Sequence, residues 1–174
     1  MGEAKPQREG YADPSPYPEI RVLAPNRYYA QLLQDDYAGR VSEFTAISQY
    51  LYHYFYLERV SEELGEMLEN VAITEMHHME ILGKTIILLG GNPVIRGSYS
   101  TRGDFWNGRF IYYGRNLCDQ LWADLRAEQQ AISNYRQHIA MIRDPYVQAI
   151  LERIILDEQV HIKLFRQALD RYCR

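Results

Sequence analysis

The sequence predicts an all-α protein: a four-helix bundle, two antiparallel hairpins joined by a long crossover. Three observations predict it. Helix-compatible text runs nearly unbroken from Asn26 to Gly90 and again from about residue 108 to the C-terminus. Proline is frequent before residue 26 and then absent between Pro25 and Pro93, as uninterrupted helices require. The two helical stretches also repeat one another. Length and composition agree, since 174 residues with 47% apolar and 24% charged side chains suit one globular unit with its own core.

In chain order, residues 1–25 carry five of the seven prolines (Pro6, Pro14, Pro16, Pro18 and Pro25) and predict an extended arm. Its Tyr11, Tyr17, Ile20, Val22 and Leu23 are apolar enough to lie along another surface. Residues 26–174 are expected to form the bundle. A first helix is expected over 27–60. Ser61, followed by Glu62 and Glu63, is an N-cap with an acidic first turn, so a second helix follows over 62–89. Gly90-Gly91-Asn92-Pro93 stops it. Residues 92–107 read as irregular chain, and a third helix is expected from about 108 to 142. Asp144-Pro145 is an N-cap with proline at the first helical position, opening a fourth helix over 145–172. A helix of ~28 residues is ~42 Å long, and ~16 extended residues reach ~53 Å. The connection can therefore run the length of the bundle.

The net charge of -4 argues against a nucleic-acid surface. No apolar run of 18 residues predicts a membrane span, and the N-terminus does not read as a signal peptide. Cys118 and Cys173 form no CxxC motif and are expected to be unpaired, which fits a reducing cytoplasm.

The repeat carries the chemistry. Residues 43–55 read EFTAISQYLYHYF and residues 128–140 read EQQAISNYRQHIA, with Glu, Ala-Ile-Ser, Tyr and His in common. Further on, VAITEMHHMEIL (71–82) aligns with IILDEQVHIKLF (154–165), and both contain E-x-x-H. Random placement would give about 0.4 E-x-x-H matches in such a chain. Two matches, each preceded by a Glu at nearly equal distance inside a repeated motif, are therefore a signal. Counted from the two predicted turns at 1.5 Å per residue, Glu43, Glu75, His78, Glu128, Glu158 and His161 all fall ~21–27 Å along their helices. Glu and His three apart share a helix face, so all six side chains can converge. Four carboxylates in a dry core demand cations, and two divalent ions would balance them. Carboxylate plus imidazole suits iron or manganese.

With these residues in view, the sequence resembles the ferritin-like di-iron carboxylate superfamily: bacterioferritin, rubrerythrin and, more distantly, manganese catalase. The resemblance implies Glu43 and Glu128 as terminal ligands, Glu75 and Glu158 as bridging ligands, and His78 and His161 as ligands to one metal each. It also implies that Tyr50, repeated as Tyr135, hydrogen-bonds a ligand carboxylate. Met76 stands where bacterioferritin has a haem-binding Met, but a lone Met on a helix is expected to fill core, so haem is not expected. Two metal ions per chain are, with iron ahead of manganese.

Of the remaining features, His53 and His138 are equivalent by the repeat and are expected to be hydrogen-bonded packing rather than a proton relay or extra ligands. His77 is expected at the surface or rim. Asp157, four residues before His161, could orient that imidazole, and Thr74 has the same relation to His78. The Tyr-rich segment with Tyr50, Tyr52, Tyr54 and Tyr56 suggests interface packing in a homodimer or larger assembly. The expected function is a reaction with hydrogen peroxide or dioxygen, as a rubrerythrin-like peroxidase served by an external electron donor or as a ferroxidase. The alternatives are a manganese catalase-like enzyme and an iron-storage or coat-like assembly protein.

Overall fold

Asn26, Ser42, Asn116 and Asp144 each place a side-chain oxygen on backbone N–H groups of the following turn. Those caps define where helices begin. In the computed structural model, which describes residues 10–173, α1 spans Arg27–Ala38, α2 Glu43–Leu57, α3 Glu62–Leu88, α4 Leu117–Met141 and α5 Pro145–Tyr172. A short 3-10 turn at Gly108–Phe110 lies in the crossover. Together α1 and α2 run antiparallel to α3: Asn26 N–H bonds the Leu89 carbonyl at one end, and Gly65 closes on Glu58 at the other. α4 and α5 form the second hairpin.

Two boundaries differ from expectation. The first helix is broken at residues 39–42. Gly39 is extended, and a Cβ there would lie 2.5 Å from the Asp35 carbonyl and 2.7 Å from Ser100 Oγ. The crossover docks at that spot. The Asp35 carboxylate accepts from the backbone N–H groups of Ser98, Tyr99 and Ser100, and Arg40 N–H donates to Ser100 Oγ. Ser42 restarts the helix, donating to the Gly39 carbonyl and accepting from Thr45 N–H. The third helix begins at Leu117 rather than near 108, because Asn116 is the cap and Gly114 takes φ +72°. Residues 105–113 instead cover α2, with Trp106 Nε1 donating to Thr45 Oγ1 and Tyr112 N–H to Gln49 Oε1.

The expectation of unpaired cysteines is overturned. Cys118 at the start of α4 and Cys173 after α5 form a disulfide with Cα atoms 5.6 Å apart. Antiparallel helices joined by a tight turn bring those ends together, so the argument for a reducing compartment falls. Among the described residues no helix is long and apolar enough to cross a membrane.

The arm is extended and lies on its own bundle. Tyr17, Ile20 and Val22 pack against the cluster of Leu32, Leu33, Leu82, Ile86 and Ile154, and Tyr11 against the cluster of Leu68, Val71, Leu125 and Phe165. Leu23 stays exposed. Residues 1–9 of the expected arm lie outside the described residues. The two apolar clusters occupy opposite halves of the bundle. On α3 one ends at Ala72 and the other starts at Ile81; on α5 one ends at Ile155 and the other starts at Phe165. The gap between them is where the polar side chains lie.

Candidate metal centre

Into that gap the bundle places all six residues singled out by the repeat: Glu43 at the first turn of α2, Glu75 and His78 on α3, Glu128 on α4, Glu158 and His161 on α5. Each is at most 3% exposed. Their donor atoms form two sets, each within 4.8 Å: Glu43, Glu75, His78 and Glu158, and Glu75, Glu128, Glu158 and His161. Glu75 and Glu158 belong to both. His78 Nδ1 lies 2.8 Å from Glu75 and 3.5 Å from Glu158, and His161 Nδ1 lies 2.9 Å from Glu75 and 3.0 Å from Glu158. The ring centroids are 6.2 Å apart.

The fit of this cluster to metal can be judged from its protons. His161 Nε2 points at the Tyr11 carbonyl at 3.0 Å, which can only accept, so that nitrogen carries the hydrogen. His78 Nε2 likewise donates to Asp157 at 2.9 Å. In the neutral imidazoles both Nδ1 lone pairs then face carboxylates, a repulsive arrangement unless a proton or a metal ion stands between. Burial, then neighbouring carboxylates, push Glu43 and Glu128 well above the usual carboxylate range. Burial opposes charge on the two imidazoles, but Glu75 and the other carboxylates raise both well above the ordinary histidine value. Burial would raise Glu75 too, yet His161 and His78 hold it well below its usual value. Protons held on these carboxylates and imidazoles would supply charge that divalent ions would otherwise bring. Glu75 Oε1 is buried without a hydrogen-bond partner despite its approach to His161, as a carboxylate oxygen reserved for a cation would be. The donor set fits a pair of divalent metal ions.

Tyr50 and Tyr135 are buried and donate across the bundle, Tyr50 to Glu128 and Tyr135 to Glu43. Burial, with Glu128 close by, raises the Tyr50 hydroxyl well above its ordinary value and keeps it a donor. His53 is fully buried, faces Asp124 with Nδ1 at 2.8 Å and donates from Nε2 to the Tyr112 carbonyl. His138 faces Asp36 with Nδ1 at 2.7 Å. Both are engaged in packing pairs, as expected. His77 is exposed with its ring edge-on to Tyr17, 4.7 Å between centroids.

Three expectations need correction. Asp157 orients His78 across the helix interface and not His161 on its own helix. Thr74 turns to the carbonyls of Asn70 and Tyr11 and does not hold His78. Met76 does not fill core: it is 48% exposed on the outer face of α3, because the E-x-x-H face turns inward and the residue after Glu75 is rotated by about 100°. Sequence reasoning also missed Tyr11 and Arg153 as neighbours of the site. A backbone carbonyl carries no residue signature, and Arg153 is visible only as a cation four residues before Asp157.

A cavity of about 90 Å³ reaches Glu43, Glu75, Glu128 and Glu158. It runs between α2 and α4, walled by Ala46, Ala127 and Ala131, and meets the helix break at Arg40, whose guanidinium lies 5.0 Å over the Phe110 ring. A water requires about 10–15 Å³ by this measure, so there is room for a few waters or one small oxidant.

An all-helical bundle with four carboxylates and two imidazoles converging in its core defines a class, the ferritin-like proteins built around a dimetal site. The chain belongs to that family: a model of the ferritin-like domain matches residues 40–174. A probable manganese catalase of Clostridium acetobutylicum is 26% identical, covering 88% of this chain and 75% of the relative. The bacterioferritin of Mycobacterium leprae is 34% identical, covering 70% of this chain and 72% of the relative. Among solved structures, KatB, a manganese catalase from Anabaena, superposes with a TM-score of 0.82 at 24% identity, covering 91% of this chain and 78% of that one. This last likeness speaks for the fold.

Proposed function

We propose that this chain is a dimetal oxidoreductase acting on hydrogen peroxide or dioxygen, and that catalase-like disproportionation of hydrogen peroxide at two manganese ions is its activity. The observation that carries the class is the buried layer of six donors, in which Glu75 and Glu158 are common to both metal-sized sets. Glu75 and Glu158 would bridge the ions, Glu43 and Glu128 would cap one each, and His78 and His161 would each bind through Nδ1. Two bound redox ions would supply Lewis acidity and the electrons for O–O cleavage. The chain's own side chains do the rest. Tyr50 and Tyr135 fix the capping carboxylates, Asp157 and the Tyr11 carbonyl fix the imidazoles, and the narrow cavity admits a small oxidant to the carboxylate side.

The manganese reading is supported by the reach of the likeness to the Clostridium acetobutylicum protein, 88% of this chain against 70% for the bacterioferritin. A di-iron peroxidase or ferroxidase is the second reading, supported by the higher identity, 34%, to that bacterioferritin. Metal-free protein loaded separately with Mn(II) and Fe(II) distinguishes them. The expected result is close to two metals per chain, with one dioxygen released per two peroxides consumed in the manganese form. Peroxide consumption only in the iron form and only with an added reductant would make it a peroxidase. Uptake of many tens of iron atoms per chain into a large hollow particle would make it a store.

A further inference from the structure

The face of the site opposite the cavity is closed by the arm, and the arm reaches both imidazoles by different means. His161 donates directly to the backbone carbonyl of Tyr11. His78 donates to Asp157, and that carboxylate is itself gripped by the arm: Asp13 N–H lies 2.7 Å from Oδ1, and the Tyr17 hydroxyl donates to Oδ2. Arg153 locks the assembly. Its guanidinium donates to Asp157 at 2.7 Å, to the Asp13 carbonyl at 2.8 Å and to the Ser15 carbonyl at 2.9 Å, and it lies 4.0 Å over the Tyr17 ring. Pro14, Pro16 and Pro18 restrict the backbone that presents these carbonyls. Apolar packing of Ile20 and Val22 would hold an arm in place without any of this. The bonds at residues 11–17 instead go to the outer nitrogen of His161 and to the Asp157 carboxylate that holds the outer nitrogen of His78.

The repeat makes the two halves of the site alike, but this outer layer does not. A carboxylate draws on the Nε2–H of His78, which enriches Nδ1 as a donor; a neutral carbonyl does less for His161. We propose, on the dimetal reading above, that residues 10–17 are a working part of the metal centre. They hold His78 and His161 on unlike acceptors, so that the two metal positions differ and the His78 position binds more tightly. Tyr11, Tyr17 and Arg153 are thus positioning residues, and the metal on the His161 side depends on the arm remaining seated.

Cobalt(II) is the probe, because its binding is followed by visible absorption and it shifts the imidazole N–H protons of its ligands out of the crowded proton spectrum. Full-length protein is expected to take up two Co(II) in steps at least tenfold apart in affinity. It should show two shifted, exchangeable Nε2–H signals that exchange slowly with solvent. Arg153→Gln removes the bonds that hold residues 13–15 on Asp157 and is expected to speed exchange of both signals and to weaken the second step by a further tenfold or more. Tyr17→Phe, a milder change that leaves the bundle untouched, should speed exchange of the His78 signal. Ile20→Ala should lower the melting temperature while both signals and both affinities stay as in the parent. Two Co(II) bound with equal affinity in the parent, or signals in Arg153→Gln and Tyr17→Phe as slow as the parent's, would overturn the proposal. Absence of shifted imidazole signals in the parent would overturn the dimetal reading itself, a separate failure.

Discussion

Glu75 is fully buried and touched by both imidazoles, and its Oε1, though close to His161, has no hydrogen-bond partner. Glu75→Gln keeps the shape but removes a charge from both metal-sized sets. The expected outcome is loss of both metals, read by elemental analysis, with the helical signal in circular dichroism unchanged. Asp157 offers a pH test. Burial would raise its carboxyl, but hydrogen bonds from His78, Tyr17 and Arg153 outweigh that and hold it down to about 2. A carboxyl lowered on folding contributes stability that is fully present above its unfolded value of about 4 and is lost as pH falls toward 2. In metal-free protein, Asp157→Asn should therefore cost about 2 kcal/mol or more at neutral pH. The gap from the parent should narrow below about pH 4 in denaturant melts. A gap independent of pH would mean the carboxylate is not held as the geometry requires.

At the scale of elements, the helix break at 39–42 and the crossover are one device. The Asp35 carboxylate and Ser100 pin the connection to the end of α1, and the resulting opening between α2 and α4 leads to the carboxylates. Gly39→Ala forces a Cβ against Asp35 and Ser100, so a loss of about 1–3 kcal/mol is expected in chemical denaturation. The disulfide ties the start of α4 to the end of α5 across a separation of 55 residues. Cys118→Ser should lower stability by about 2–4 kcal/mol, because a loop of that size is costly to close in the unfolded chain. An unchanged denaturation midpoint would show that the helix ends are held without it.

The whole molecule is two apolar clusters with a polar layer between them. Leu57, Leu64, Leu68, Leu121 and Phe165 lie on one side, and Leu33, Leu82, Ile86, Leu151 and Ile154 on the other, all at most 1% exposed. At about 1.5–3 kcal/mol for each such side chain, these clusters and not the metals hold the bundle. Chelation should lower the melting temperature and leave a folded, helical apo protein; complete unfolding by a mild chelator would contradict this.

The sequence by itself determined the four-helix architecture, the end of α3, the cap and extent of α5, and the six residues that meet in the core. Each of these rests on local chemistry or on a fixed period: a Ser or Asp cap, a Gly-Pro stop, a Glu and a His three apart. Tertiary structure decided everything that depends on two distant segments meeting. The break at Gly39, inside what the sequence predicts as one helix, is made by the docking of Ser98–Ser100 on Asp35. The start of α4 moved to Leu117 because residues 105–113 pack on α2. The cysteines paired because antiparallel α4 and α5 return to the same end. Asp157 serves His78, a residue 79 positions away, and not the histidine on its own helix. Met76 faces outward because Glu75 and His78 take the inward face. The outer partner of His161 is a backbone carbonyl, which no side-chain pattern encodes, since every residue has one and only the path of the arm selects Tyr11.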